Sequence, residues 1–219
     1  MREQIKRNLD DIQSRIADAA DRAGRSAGDV RLIAITKTVG LEEVRVLQEL
    51  DIHEMGENRV EYAREKMDAF AQNISWHMIG TVQRRKAREV VERFNTVDSV
   101  DRLELAETLN RHAIELGKVV SILIEANVSG EETKHGFEPE RLPDVIGAIR
   151  QMRGLRLDGL MTMAPFVENP EDVRPVFARL RALAELHGLK ELSMGMSNDF
   201  EVAVEEGATQ VRIGSALFA

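Results

Sequence analysis

Val119-Val-Ser-Ile-Leu-Ile-Glu-Ala-Asn-Val128 is the most strand-like stretch of this chain, an apolar run rich in β-branched residues that closes on a polar tip. Residues 139–152 follow with apolar side chains at helical spacing, and residues 155–161 return to a short apolar run. Strand, helix and strand in that order form a crossover unit, whose two strands lie parallel. Working outward, the same alternation repeats in both directions. Toward the C-terminus come a long helix over residues 170–187, a strand over 191–194, a short helix over 198–206 and a last strand over 209–213. Toward the N-terminus, strands are predicted at residues 96–97, 74–79, 52–55 and 31–37. Between and before them, helices are predicted over residues 101–116, 83–94, 59–70, 41–50 and 2–24. Asp101 with Glu104 reads as a capping box.

Eight parallel strands alternating with helices predict an α/β fold, a (β/α)8 TIM-type barrel, which typically takes ~250 residues. The alternative with the same alternation is an open doubly wound sheet. One detail favours closure. The last strand ends almost at the C-terminus with no helix expected after it, and the helix over residues 2–24 can fill that gap in the outer ring. No Pro/Gly/Ser-rich linker interrupts the 219 residues, so residues 1–219 are expected to form a single domain.

Composition removes whole classes of function. Lys and Arg number 30 against 38 Asp and Glu, a net charge of −8, and a polyanion binder needs a basic footprint instead. Neither nucleic acid nor an anionic membrane is therefore expected as a partner. With 0 Cys there are no disulfides, thiolate nucleophiles, iron–sulfur clusters or Cys-based zinc sites. The five His show no metal-ligand spacing, so no metal is expected. The N-terminus has no secretory pattern and no stretch approaches ~18 apolar residues, so a cytoplasmic protein is expected.

In a barrel, chemistry belongs where strands end. Lys37 closes the strand Arg31-Leu-Ile-Ala-Ile-Thr-Lys37, where apolar walls would favour the neutral amine that condenses with an aldehyde. The bland alternative is a lysine reaching from the strand end to water. Near the C-terminus, Gly195, Ser197 and Asn198 join a strand to a helix that Ser197 or Asn198 could cap, and Gly214-Ser215 follows the last strand. Together these two turns make a plausible anion cradle. Arg212, between Val211 and Ile213, needs a buried partner or a ligand. Asn58 could bond a ligand or cap the next helix. A lone strand histidine such as His77 is more often a hydrogen-bonded core residue, and Met161 reads most simply as apolar lining. The basic run Arg84-Arg-Lys-Ala-Arg88 reads as a solvated helix face, and Lys134 as a surface lysine.

Seven segments occur in one order: Ala-Ile-Thr-Lys37-Thr, Met-Gly-Glu-Asn58-Arg, Trp-His77-Met-Ile-Gly-Thr-Val-Gln, Ser-Gly-Glu-Glu-Thr-Lys134-His-Gly-Phe, Gly-Leu-Met161-Thr-Met, Met-Gly-Met-Ser197-Asn-Asp-Phe and Val-Arg212-Ile-Gly-Ser-Ala-Leu-Phe. This set closely resembles the YggS/PROSC family of pyridoxal phosphate homeostasis proteins across nearly the whole chain. The resemblance implies a fold like the N-terminal domain of alanine racemase, a fold type III barrel. It implies pyridoxal 5′-phosphate as cofactor, held as an internal aldimine on Lys37. Ser197, Gly214 and Ser215 match its phosphate positions, Arg212 the arginine facing the pyridine nitrogen, and Asn58, His77 and Met161 positions lining the pocket. Lys134 matches a lysine proposed as a second point of cofactor contact or transfer. The chain departs from the family at Gln83-Arg-Arg85-Lys86, where Asn is common, and at Gly40, where Pro is common.

The implied function is buffering or delivery of the cofactor, with influence on amino-acid pools and without catalytic turnover. The racemases draw a second base from a further domain, and this chain ends at Ala219, just after the last predicted strand. Implied partners are the vitamer and cofactor-dependent apoenzymes, with the protein a monomer or weak dimer. Competing readings are a racemase acting on a small amino acid and a cofactor-free isomerase of phosphorylated sugars.

Overall fold

The computed structural model describes residues 1–70, 73–131 and 135–219. Its strands are β1 (Arg31–Ile35), β2 (Glu54–Glu57), β3 (Ser75–Met78), β4 (Thr96–Val100), β5 (Val120–Glu125), β6 (Leu155–Met161), β7 (Glu191–Met196) and β8 (Gln210–Ile213). Its helices are α1 (Arg2–Arg22), α2 (Leu41–Glu49), α3 (Val60–Ala69), α4 (Ala87–Arg93), α5 (Leu103–Glu115), α6 (Leu142–Arg150), α7 (Arg174–Leu186), α8 (Phe200–Glu205) and α9 (Ser215–Phe218). Each strand pairs in parallel with the next, and β1 pairs with β8, so the sheet is a closed barrel and the open-sheet alternative falls. The closing seam runs in the register Arg31↔Gln210, Ile33↔Arg212 and Ala34↔Ile213.

Two apolar layers follow from the period of two along a strand. One face of each strand packs outward on the helices, in a core that includes Trp76, Leu109, Ile122, Phe177 and Phe200. The other face fills the barrel. Helix α1 presents Ile5, Leu9, Ile12, Ile16, Ala19 and Ala20 to that outer core, packing against α2, α8 and α9. It thus occupies the gap expected for it. Among the described residues no helix is long and apolar enough to cross a membrane.

Several expectations are corrected. The second strand lies at Glu54–Glu57, two residues beyond the predicted start, and β4 extends to Val100. Both carry acids that are matched on other elements, Glu54 and Asp98 with His77 on the inner face of the barrel and Glu57 with Lys66 of α3 on the outer face. No capping box forms at Asp101. Arg102 is the N-cap, without a side-chain cap bond, and its guanidinium takes Asp101 at 2.5 Å. A short helix, α9, does follow the last strand. The basic run starts as a 3-10 turn at Arg84–Lys86. Lys86 pairs with Glu61, and Arg88 with Glu92 and Glu115, which agrees with a solvated charged face.

Candidate cofactor site

At the C-terminal ends of the strands lies a cavity of about 560 Å³. Its walls include Ile35, Lys37, Asn58, Glu125, Ser197, Arg212, Gly214 and Ser215, supplied by β1, β2, β5, β7, β8 and the loops that follow them. Six sequence-predicted site residues therefore meet in one place. Lys37 stands two residues past the end of β1, and its side chain is exposed at the mouth. The apolar enclosure expected around it is not found, since the residue is exposed.

His77 and Met161 are not on the cavity wall. Side chains two apart share a strand face, so Ile79 and Met163 reach the cavity while His77 and Met161 sit one layer deeper. His77 donates from Nε2 to Glu54 at 2.6 Å and from Nδ1 to Asp98 at 3.2 Å. Burial opposes its charged form, but the two carboxylates outweigh burial and push it up to about 9. The two carboxylates thus favour its protonated form. Lys134 lies outside the described residues.

Arg212 is only 4% exposed. Its guanidinium donates to Ser193 Oγ at 2.7 Å and to the Thr162 carbonyl at 2.8 Å. Burial draws it down from the usual arginine range, while Asp98, Asp199 and Glu125 act to hold the charge. Its partners are thus internal, and its position still borders the cavity.

The turns after β7 and β8 form a single cup. Ser197 does not cap α8, whose N-cap is Asp199. Its Oγ instead accepts from the Gly214 amide at 3.4 Å and the Ala216 amide at 3.2 Å. A Cβ on Gly214 would lie 3.3 Å from Ile35 Cβ, so glycine lets this turn press against β1. Asp199 Oδ1 accepts from the Met196 amide at 2.6 Å and holds the first turn in shape. Asn58 does not cap α3, whose N-cap is Arg59, and it borders the cavity.

The wall also includes residues the sequence reading passed over. Glu125 ends β5 and is buried, with its carboxyl pushed up to about 7 by burial and by Asp101, against the opposing pull of His135 and Arg212. Its mark in the sequence is an acid inside an otherwise apolar strand. Phe166, 86% exposed, stands at the rim and carried no periodic signal. The donor set fits a phosphorylated aromatic aldehyde: an amine at the mouth, hydroxyls and amides in a cup, and a fixed cation between.

Residues 7–219 match the family model for the alanine racemase N-terminal domain. A protein from Aquifex aeolicus called pyridoxal phosphate homeostasis protein is 42% identical over 217 residues, covering 96% of this chain and 95% of the relative. PipY of Synechococcus elongatus, solved with PLP bound, is 33% identical with a TM-score of 0.82, covering 93% of this chain and 100% of that one. An alanine racemase of Clostridium difficile shares the fold at 15% identity and a TM-score of 0.79. That match covers 99% of this chain but 56% of the racemase.

Proposed function

The chain belongs to the pyridoxal phosphate homeostasis family, and from that premise we propose that it binds pyridoxal 5′-phosphate, holds it reversibly on Lys37 and hands it on without turnover. The observation that carries this reading is convergence. Lys37, Arg212, Ser197 and Gly214-Ser215 come from distant parts of the sequence to one cavity.

The cofactor's aldehyde supplies an electrophilic carbon that an amine can capture and release. Lys37 offers that amine at an open mouth, where water and a receiving protein both have access. Ser197 and the Gly214-Ser215 turn would take the phosphate, through hydroxyls and amides that favour an anion. Asn58 lines the remaining wall. Arg212, a fixed cation held by Ser193 and Thr162, would stand toward the ring nitrogen and discourage a second positive charge beside it. An unprotonated ring withdraws electrons weakly, which suits storage better than carbanion chemistry.

The homeostasis relative from Aquifex aeolicus is matched over 95% of its length and the alanine racemase over 56% of its own, which supports storage over racemisation. Residues 1–219 acting as one domain, as a monomer or weak dimer in the cytoplasm that supplies apoenzymes, complete the reading.

Borohydride reduction of protein saturated with the vitamer, followed by peptide mass mapping, tests it. The expected result is a pyridoxyl adduct on the Lys37 peptide. Lys37→Ala should lose both the adduct and the visible absorbance while keeping its far-ultraviolet dichroism. Colour that survives this substitution would remove the assignment. Sustained formation of D-alanine from L-alanine would overturn the claim of no turnover.

A further inference from the structure

Lys66 is a lysine in the wrong place for an ordinary helix. It lies on α3, yet its side chain is 7% exposed, and a buried ammonium is costly unless it is paired and hydrogen-bonded. Its Nζ donates to Glu57 Oε1 at 2.7 Å and to the Thr36 carbonyl at 2.5 Å. Thr36 Oγ1 donates to the same Glu57 oxygen at 2.6 Å. The second Glu57 oxygen is buried with no partner among the described residues, so the arrangement is not optimised for stability. Buried ion pairs in general stabilise no better than apolar residues of the same volume.

What the pair does hold is the peptide unit joining Thr36 to Lys37. The β1–β2 ladder ends at Ile35↔Gly56, and beyond it the Thr36 amide makes one more bond, to the Gly56 carbonyl at 3.1 Å. From there the strand tip has left the sheet, and Lys66 grips it by the last carbonyl before Lys37. On the far side of the tip is a separate cavity of about 360 Å³, bordered by Lys37, Thr38 and Lys66. Without Lys66 the Thr36 carbonyl keeps only the Val39 amide, a bond at 3.1 Å within the same turn, which leaves the turn as a whole room to swing there, away from the anion cup.

We propose that Lys66 is a positioning residue that, through Glu57 and the Thr36 carbonyl, aims Lys37 at the aldehyde of the bound vitamer. The inference rests on the function proposed above. The step it governs is a condensation. The neutral Lys37 amine forms a bond to the aldehyde carbon, the carbon–oxygen bond breaks, and the oxygen leaves as water with the two amine protons. Misaim slows and weakens this step alone. Binding of phosphate and ring does not depend on it.

That separation supplies the test. Pyridoxal 5′-phosphate can bond to Lys37, whereas pyridoxine 5′-phosphate, an alcohol, can only dock. Both affinities are measured by calorimetry, with visible absorbance following the covalent step. For Lys66→Met the expected result is at least a tenfold loss of affinity for the aldehyde and less than a twofold change for the alcohol. Glu57→Gln keeps an acceptor for both Lys66 and Thr36 and should stay within threefold of wild type for both ligands. If Lys66→Met does not fold, the double variant Lys66→Met/Glu57→Leu removes both buried charges and should show the same selective loss. Equal losses for both ligands, or unchanged binding of both, would overturn the inference. If wild type forms no covalent adduct at all, the proposed function itself falls, together with this inference. A wild type that forms the adduct beside variants that form it equally well removes only the role of Lys66.

Discussion

Burial and Asp101 hold the Glu125 carboxyl at about 7, above its ordinary 4.5. The folded protein therefore binds a proton at this site that the unfolded chain has already released over the range between those values. Stability from this group is fully present below the unfolded value and is lost as pH rises through the folded one. At roughly 1.4 kcal/mol per pH unit the loss amounts to about 3 kcal/mol. Glu125→Gln should thus leave stability near wild type at pH 4 and raise it by up to about 3 kcal/mol at pH 8, read by urea unfolding at both values. An equal effect at the two pH values would show that the carboxyl carries its charge without penalty. At this scale the convergence of Lys37, Arg212, Ser197 and Gly214-Ser215 on one cavity could be anticipated, because each breaks the local pattern at a strand end. For His77 the sequence left two readings. The bland reading, a hydrogen-bonded core histidine, matches Glu54 and Asp98 on its two nitrogens, whereas the wall position implied by resemblance is occupied by Ile79. Depth along a strand is set by barrel tilt and stagger, which a single sequence does not display.

Helix α1 is an element whose weight can be tested directly. Its buried stripe packs on α2, α8 and α9, and Ile12, 1% exposed, lies within it. Ile12→Ala should cost about 3 kcal/mol, the usual scale for emptying a packed aliphatic site, with the same slope of unfolding free energy on denaturant. A loss below about 0.5 kcal/mol would make the helix a surface appendage. Helix α1 is also the clearest success of periodicity, predicted at residues 2–24 and found at Arg2–Arg22, since one apolar stripe and the glycines beyond it fix its limits. β2 and β4 were harder. The predicted second strand stops at Met55 and the fourth at Val97, short of Glu57 and Asp98, and only the partners of these acids on other elements, Lys66 and His77, explain how a strand can carry them. Information about partners far along the chain is absent from a local window.

For the whole molecule, the decisive feature is the pairing of β1 with β8, which closes the ring and sets Lys37 beside Arg212 and the Gly214-Ser215 turn. Asn8 on α1 donates to the Leu217 and Ala219 carbonyls at 3.1 and 3.0 Å and fastens the same seam from outside. A chain shortened to end before Gln210 should form no adduct at Lys37 and should lose its cooperative unfolding transition, both measurable on the purified fragment. An adduct on that fragment would mean the amine needs no closed ring. The seam also orders events during synthesis. Lys37 leaves the ribosome about 170 residues before Arg212 and the Gly214-Ser215 turn, so the cavity that the three share cannot assemble until β8 has followed β1 out.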